Sequence, residues 1–409
     1  MSIATISGRN MDIWMVLMVL ILCGLGVVTI YGTLQSSEVS SNSRLHVKQL
    51  LWIGLGTVAM VITASVTYKA YYVLAPVLYL LSLLSLGLLF ILGDRSAGAN
   101  RWLDLGGFFW QPAETAKVAT IFMLAHYLSG RKTAGGSIKP FLPALGILTL
   151  PVLLIIQQPD LGTSLVFVAI LVAMLYGAGM KPIDLFLLLS PALSVVCAFH
   201  LVSWMIFICV LLVMLYLARP RFLSTATIFL INFAVGIVTP ILWRGLHEYQ
   251  QKRILVFLDP GRDPLGAGYQ VIQSKVALGS GGFLGKGFLQ GTQTKLAFLP
   301  AQHTDFIFST YGEQFGFLGS LLILVLFLWF IIRGLRAAQM ARNRFASLIA
   351  LGAVAVFCFH IFVNLGVAMG IMPVTGLPLP FMSYGGSSMI TNMILVGLLL
   401  NVRYRWQEY

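Results

Sequence analysis

Residues 11–31, MDIWMVLMVLILCGLGVVTIY, form a continuous apolar run in which Asp12 is the one charged residue. Its length matches the roughly 20 residues that an α-helix needs to cross about 30 Å of hydrocarbon. Similar runs recur along the 409 residues, so that 58% of the chain is hydrophobic and 10% is charged. Because a soluble domain carries about 25% charged residues, this composition excludes a soluble enzyme, a disulfide-rich secreted protein, a coiled coil and a disordered chain.

Apolar runs of spanning length predict an all-α polytopic membrane protein with about twelve transmembrane helices. The predicted spans are residues 11–31, 49–67, 72–92, 114–129, 140–157, 163–179, 183–199, 202–218, 225–244, 315–333, 345–369 and 385–402. We predict that they form one integral-membrane domain over residues 1–409, with a large extracytoplasmic loop at 245–314.

The charged residues of the connecting segments predict the orientation of the chain. Short loops rich in Lys and Arg face the cytoplasm, which places both termini inside together with 14 of the 26 basic residues. Ten of the 13 acidic residues then lie outside. The net charge of +13 is spread over many loops, so that no nucleic-acid-binding surface is predicted. The four cysteines lie within apolar runs and lack the spacing of a metal site.

Residues 101–117 concentrate ionisable side chains at the head of a predicted span. Glu114 and Lys117 are three residues apart and therefore share one face of a helix. They either form an ion pair within the helix or face a polar cavity, because hydrocarbon disfavours ionisable side chains by several kcal/mol. Arg101 lies just upstream, and Trp102 is of the residue type that anchors helices at the membrane interface.

Three further candidates lie in segments predicted to be outside. Asp160, in a very short turn, either caps the following helix or presents a carboxylate to an outer cavity. Lys275 follows the turn residues of the long loop at helical spacing. Asp305 immediately precedes an apolar run, so that it is either a helix cap or a functional carboxylate near the membrane surface.

Five stretches of the sequence together resemble the SEDS family of cell-wall polymerases, and its RodA branch more closely than its FtsW branch. They are RWLDLGGFFWQPAETAK (101–117), QPDLGTS (158–164), DPLGAGYQVIQSKVALGSGGFLGKG (263–287), GTQTKLAFLPAQHTDFIF (291–308) and LPLPFMSYGGSS (377–388). Two departures stand out. The family usually has ten spans, so that residues 183–218 form an added helical pair, and Gln314 follows Glu313 where many relatives have two glutamates.

The resemblance implies a peptidoglycan glycosyltransferase that polymerises lipid II into β-1,4 glycan strands at the outer face of the cytoplasmic membrane during cell elongation. It implies a class B penicillin-binding protein and other rod-complex membrane proteins as partners, and no organic cofactor. Lys and Arg, or a divalent cation such as Mg²⁺ or Mn²⁺, would neutralise the charge of the diphosphate that lipid II carries. Asp305 is the expected general base. The expected substrate-binding residues are Arg101, Trp102, Glu114, Lys117, Asp160, Lys275 and Ser383.

Two other classes of function remain open at this stage. A flippase for the same lipid needs alternating access and helices broken near the midplane of the bilayer, and matching interruptions in the two halves of the sequence are not apparent. A noncatalytic scaffold for the transpeptidase would tolerate loss of Asp305. Polymerisation of purified lipid II by the purified chain separates both from an enzyme.

Overall fold

The protein is represented by a computed structural model that is almost entirely helical. The structure describes residues 12–36, 44–92, 101–104, 106, 109–131, 141–220, 222–245, 251, 261, 268–296, 298–299 and 301–405. The helices in these ranges are α1 (Ile13–Ser36), α2 (Leu45–Ser65), α3 (Tyr68–Leu92), α4 (Pro112–Ser129), α5 (Leu142–Ile156), α6 (Leu161–Gly177), α7 (Pro182–Cys197), α8 (Leu201–Ala218), α9 (Phe222–Gly245), α10 (Tyr269–Ser280), α11 (Thr292–Lys295), α12 (Ile307–Met340), α13 (Arg344–Ala368) and α14 (Gly386–Tyr404). Strands β1 (Leu103–Asp104) and β2 (Phe109–Trp110) form an antiparallel hairpin.

Each predicted span coincides with a helix, and the prediction of an all-α polytopic membrane protein is confirmed. Within the described chain, eight helices are long and apolar enough to cross a membrane by length and composition. Helices α5, α6 and α7 are shorter apolar helices. Helix α4 has 18 residues but carries Glu114 and Lys117 near its start.

The structure corrects the start of the span that follows the long outer loop. Helix α12 begins at Ile307 rather than at residue 315, and its backbone is broken at Gly316, where φ is 66° and ψ is −160°. A Cβ at Gly316 would lie 2.2 Å from the backbone nitrogen of Gly285, so that a side chain at this position would block the contact. The predicted loop at 245–314 therefore ends in helix, and its residues 246–250, 252–260, 262–267, 297 and 300 lie outside the described residues.

Glycines of the outer loop let its backbone pair with the broken part of α12. The amides of Lys286 and Gly287 donate to the carbonyls of Glu313 and Gln314, at 3.0 and 3.1 Å. On the other side of the break, the Phe317 amide donates to the carbonyl of residue 282 at 2.9 Å. These bonds fix the 281–287 segment against the start of α12.

Helices α13 and α14 form the centre of the protein. Their apolar windows are 72% and 78% buried, more than those of any other candidate span among the described residues. Helix α14 packs against α2, and α13 packs against α12, α6 and α4. The C-terminal end of α13, the N-terminal end of α14 and the loop between them carry the site described below.

Helices α7, α8 and α9 form a separate apolar cluster beside this centre, with Leu187, Phe207, Leu211 and Leu215 at its core. Asn232 is fully buried there and donates to Ser190 Oγ at 2.8 Å. The predicted helical pair at 183–218 is thus present as α7 and α8, and it packs with α9.

Candidate active site

Asp305 lies in the turn that leads into α12, and it does not cap this helix. The N-cap position is Phe306, and the helix start has no side-chain cap. The Asp305 carboxylate is partly buried and has no hydrogen bond or ion pair with any residue that the structure describes. Burial raises the pKa of Asp305 from its ordinary value of 3.8 to about 6. Of the two alternatives for Asp305, the structure does not bear out the helix cap.

Asn364 of α13 holds the backbone of Asp305 in place. Its Nδ2 donates to the carbonyl oxygen of Asp305 and to that of Leu377, both at 2.9 Å. One buried amide therefore joins the turn that carries the carboxylate to the loop between α13 and α14. The same loop approaches the carboxylate, because a Cβ at Gly376 would lie 4.0 Å from Asp305 Oδ2.

Ser383 provides a second link between this loop and the Asp305 turn. Its buried hydroxyl donates to the Thr304 carbonyl at 2.7 Å and accepts from the Leu379 amide at 2.8 Å. The Tyr384 amide adds a bond to the His303 carbonyl at 2.9 Å. The Ser383 hydroxyl thus has internal partners, and its predicted contact with substrate stays a prediction.

Glu114, Lys117 and His360 form a buried polar chain that ends at the same loop. Lys117 Nζ lies 2.8 Å from Glu114 Oε1 and 3.2 Å from His360 Nε2. His360 Nδ1 lies 3.1 Å from the Pro378 carbonyl oxygen. Since that oxygen can only accept, Nδ1 carries the proton and Nε2 accepts from the ammonium. The predicted ion pair is present, and Lys117 is only 1% exposed rather than open to a polar cavity.

Asp160 caps α6, which is one of the two roles predicted for it. Its Oδ1 accepts from the Thr163 amide at 3.1 Å, and its Oδ2 accepts from the Thr163 hydroxyl at 2.9 Å. Gln111 Nε2 lies 3.4 Å from the same Oδ2. These contacts account for both oxygens of a carboxylate that is 5% exposed, and its predicted role in substrate binding stays a prediction.

Arg101, Trp102 and Lys275 are the more accessible of the predicted binding residues. Arg101 donates to the carbonyls of Gln158 and Pro159, next to Asp160. Trp102 is half-buried at the start of the hairpin. Lys275 is exposed on α10, where a Cβ at Gly370 would lie 2.2 Å from its Cε. Arg101 thus borders the turn before α6, and Lys275 borders the loop between α13 and α14.

Glu313 is a buried carboxylate with a structural role that the sequence did not lead us to predict. Its Oε1 accepts from Lys286 Nζ at 2.9 Å and from the Gln293 amide at 3.0 Å. Its Oε2 accepts from the amide and the hydroxyl of Thr294 at 3.2 and 2.9 Å. This fully buried side chain therefore ties two parts of the outer loop to α12. The pair of glutamates that many relatives have at this position was the feature of the sequence that could have indicated this role.

We expect Glu313→Gln to lower the free energy of unfolding by about 1–3 kcal/mol, because an amide nitrogen would face backbone N–H donors and leave them unsatisfied. Denaturation of the purified chain in detergent measures the change. Lys295→Gln is the control in the same loop and should leave the stability nearly unchanged, since the Lys295 side chain is exposed. Equal stability of Glu313→Gln and the unmodified chain would contradict the structural role.

The chain matches the family model of FtsW, RodA and SpoVE, described as a cell cycle protein family, over residues 13–204 and 183–408. The two matches overlap within the predicted additional pair of helices. Peptidoglycan glycosyltransferase MrdB of Escherichia coli K12 is 39% identical over 351 residues, which are 86% of this chain and 83% of the relative. Peptidoglycan glycosyltransferase RodA of Treponema pallidum is 35% identical over 425 residues, covering 97% of this chain and 98% of the relative.

A solved structure provides an independent comparison of the fold. It concerns the structural coordination of polymerization and crosslinking by a peptidoglycan synthase complex. One chain of that complex aligns with a TM-score of 0.73 and 32% identity, covering 98% of this chain and 100% of the other. The similarity therefore extends over the whole helical domain, including the helices that carry the candidate site.

Proposed function

The chain belongs to the FtsW/RodA/SpoVE (SEDS) family and is a peptidoglycan glycosyltransferase, and we propose that it polymerises lipid II with Asp305 as the general base. The products are β-1,4 glycan strands made at the outer face of the cytoplasmic membrane during elongation and rod-shape maintenance. Similarity to MrdB and RodA supports this choice of process.

The observation that carries the proposal is the environment of Asp305. Its carboxylate is partly buried, lacks a partner among the described residues and has its pKa raised by burial to about 6. A general base works best when its pKa lies near the operating pH. A carboxylate that only stabilised the fold would have its oxygens bound to donors, as those of Glu313 are.

The proposed reaction needs one base and no second carboxylic acid. The C4 hydroxyl of the acceptor sugar attacks the anomeric carbon of the donor, and its proton passes to an Asp305 oxygen. A C–O bond forms to the anomeric carbon while the bond from that carbon to the diphosphate oxygen breaks. Undecaprenyl diphosphate leaves with the bonding electron pair, and the α-linked donor yields a β-linked product by a single inversion. Diphosphate is a good leaving group once cations offset its charge.

We assign positioning roles to Asn364 and Lys117. Asn364 fixes the backbone of Asp305, and Lys117 acts through His360 on the loop between α13 and α14. Because Lys117 is buried and paired with Glu114, the structure supports this role better than direct contact with phosphate. Arg101 and Lys275, which are more accessible, remain the proposed ligands of the diphosphate.

The part of the chain that is described offers no preformed cluster of side chains for a resident metal ion. It contains no group of three or more His, Cys, Asp or Glu side chains that could hold an ion. A divalent cation, Mg²⁺ or Mn²⁺, therefore enters the proposal only as a counter-ion that the diphosphate itself carries, and no step of the reaction passes through it.

We further propose that the chain works with a class B penicillin-binding protein, the transpeptidase, and with other membrane proteins of the rod complex. The similar chain in a peptidoglycan synthase complex that couples polymerization to crosslinking supports this partnership. Glycan made at the outer face would then reach a crosslinking enzyme without leaving the membrane surface.

The protein is a multi-pass membrane protein, and we propose that it lies in the cytoplasmic membrane with both termini inside. A cysteine at position 284 is then expected to react with a membrane-impermeant maleimide in intact cells, whereas one at position 339 is not. Leu284→Cys and Gln339→Cys suit this test because both positions are exposed. The unmodified chain, with its four native cysteines, gives the background. Reaction at 339 and protection at 284 would show the opposite orientation, with Asp305 on the cytoplasmic side of the membrane.

Polymerisation of purified lipid II by the purified full chain, with and without its transpeptidase partner, tests the proposed function. Glycan strands in either reaction support an enzyme. Movement of lipid II across vesicle membranes without strand formation would instead indicate a flippase. Strand formation that is unaffected by Asp305→Asn would assign the chemistry to another residue.

A further inference from the structure

A cavity lies at the end of the helix bundle opposite to Asp305. It has a volume of about 560 Å³ and lies where α3 begins, α4 ends and α13 begins. Asp305 precedes the first residue of α12, whereas α13 begins just after α12 has ended at Met340. The length of α12 therefore separates the cavity from the active site. In the predicted orientation, the cavity opens to the cytoplasmic side.

The cavity is lined by cations and by aromatic rings. Among its lining residues are Tyr68, Lys69, Tyr72, Asn343, Arg344 and Phe345, and no acidic residue of the described chain lines it. Lys69 is exposed and has no ion pair with a described residue. The lining thus places positive charge at the membrane surface without a carboxylate to offset it.

The backbone and Arg344 add fixed positive charge to the same place. Asn343 Oδ1 caps α13 by accepting from the Phe345 amide at 2.9 Å, and the positive end of the α13 dipole points toward the cavity. Arg344 donates to the carbonyls of Arg131 and Ala178 at 2.5 and 2.6 Å. These two bonds use part of the five N–H donors of a guanidinium, and they hold it at the cavity.

Aromatic rings form one wall of the cavity. The ring centroid of Tyr72 lies 4.2 Å from that of His126 and 5.2 Å from that of Phe345. The rings of Tyr72 and Phe345 meet edge to face. Tyrosine rings are typical of the membrane–water interface, where an anionic headgroup meets its acyl chains. A volume of about 560 Å³ also falls within the roughly 300–1,000 Å³ of pockets that hold small ligands.

We propose that this cavity binds the phosphate-bearing headgroup of an anionic phospholipid from the cytoplasmic leaflet. Lys69 and Arg344 would contact the phosphate, and the Tyr72 ring would pack against the glycerol and the first part of an acyl chain. Basic pockets between transmembrane helices on the cytoplasmic side are suited to such headgroups. The proposal rests on the proposed orientation of the chain but not on the peptidoglycan chemistry, so that loss of the base assignment at Asp305 leaves it standing.

Thermal unfolding of the full chain in a neutral detergent tests the proposal. Phosphatidylglycerol, phosphatidylcholine with the same acyl chains, and inorganic phosphate are titrated in parallel. Phosphatidylglycerol is expected to raise the Tm saturably, and phosphatidylcholine is not. Lys69→Gln should need about fivefold more phosphatidylglycerol for half of the shift, the effect of losing one cation near a lipid surface. Arg344 is left intact because it also holds two backbone carbonyls.

Lys181→Gln is the matched control, since Lys181 is an exposed lysine just before α7 and does not line the cavity. It should behave like the unmodified chain. Equal shifts with the two lipids, or equal weakening by Lys69→Gln and Lys181→Gln, would overturn the site. An equal, saturable shift with inorganic phosphate that Lys69→Gln weakens would overturn the lipid assignment in favour of a free phosphate ligand.

Discussion

Asp305→Asn is expected to leave a folded, membrane-inserted protein whose polymerisation rate is about two to four orders of magnitude lower. The amide has nearly the same size as the carboxylate but cannot accept the proton of the acceptor hydroxyl. Stability should change little, because Asp305 neither caps α12 nor pairs with a described residue. Initial rates of strand formation from purified lipid II measure the effect.

The matched control for this variant is Asp104→Asn, which removes an exposed carboxylate at the end of β1. It should retain polymerisation close to that of the unmodified chain. Thermal unfolding of both variants shows whether a lost rate reflects chemistry or misfolding. Strong polymerisation by Asp305→Asn would show that Asp305 is not the general base.

Lys117→Met is expected to lower the free energy of unfolding by about 3–5 kcal/mol, because it leaves the buried Glu114 carboxylate without its cation. Both side chains are almost completely buried, at 1% and 4% exposure. The loss should also reduce activity, since His360 and the Pro378 carbonyl lie at the end of the same chain of contacts. Denaturation in detergent and initial rates measure the two effects.

The double variant Glu114→Gln/Lys117→Met separates the ion pair from the lysine alone. Without a buried carboxylate to leave unpaired, it should be more stable than Lys117→Met. If Lys117→Met instead keeps normal stability and only weakens the use of lipid II at limiting concentration, the lysine contacts the diphosphate, in line with its expected place among the substrate-binding residues.

The helical architecture could be predicted because each span is recorded locally, as an apolar run of sufficient length. The contacts of the site are not local. Asn364 lies inside an apolar helix, and only the folded chain shows that it joins Asp305 to the loop before α14. The spacing of three residues likewise allowed an ion pair between Glu114 and Lys117, but it did not indicate the contact of Lys117 with His360, which lies 243 residues away.

The start of α12 was misplaced for a physical reason. Residues 307–314 include polar side chains, so that they do not extend the apolar run, yet Glu313 and Gln314 are buried by the outer loop. The sequence also allowed Asp305 to cap a helix, and the structure places Phe306 at that position instead. A difference of one residue at the helix start thus separates a structural carboxylate from one that is available for chemistry.

The dependence of polymerisation rate on pH tests most directly whether Asp305 is the general base. The base must be ionised to act, and burial raises its pKa from 3.8 to about 6. The rate at limiting lipid II should therefore be full well above pH 6 and fall about tenfold for each unit below it. A rate that stays level from about pH 7 to about pH 5, with the chain still folded, would contradict the assignment.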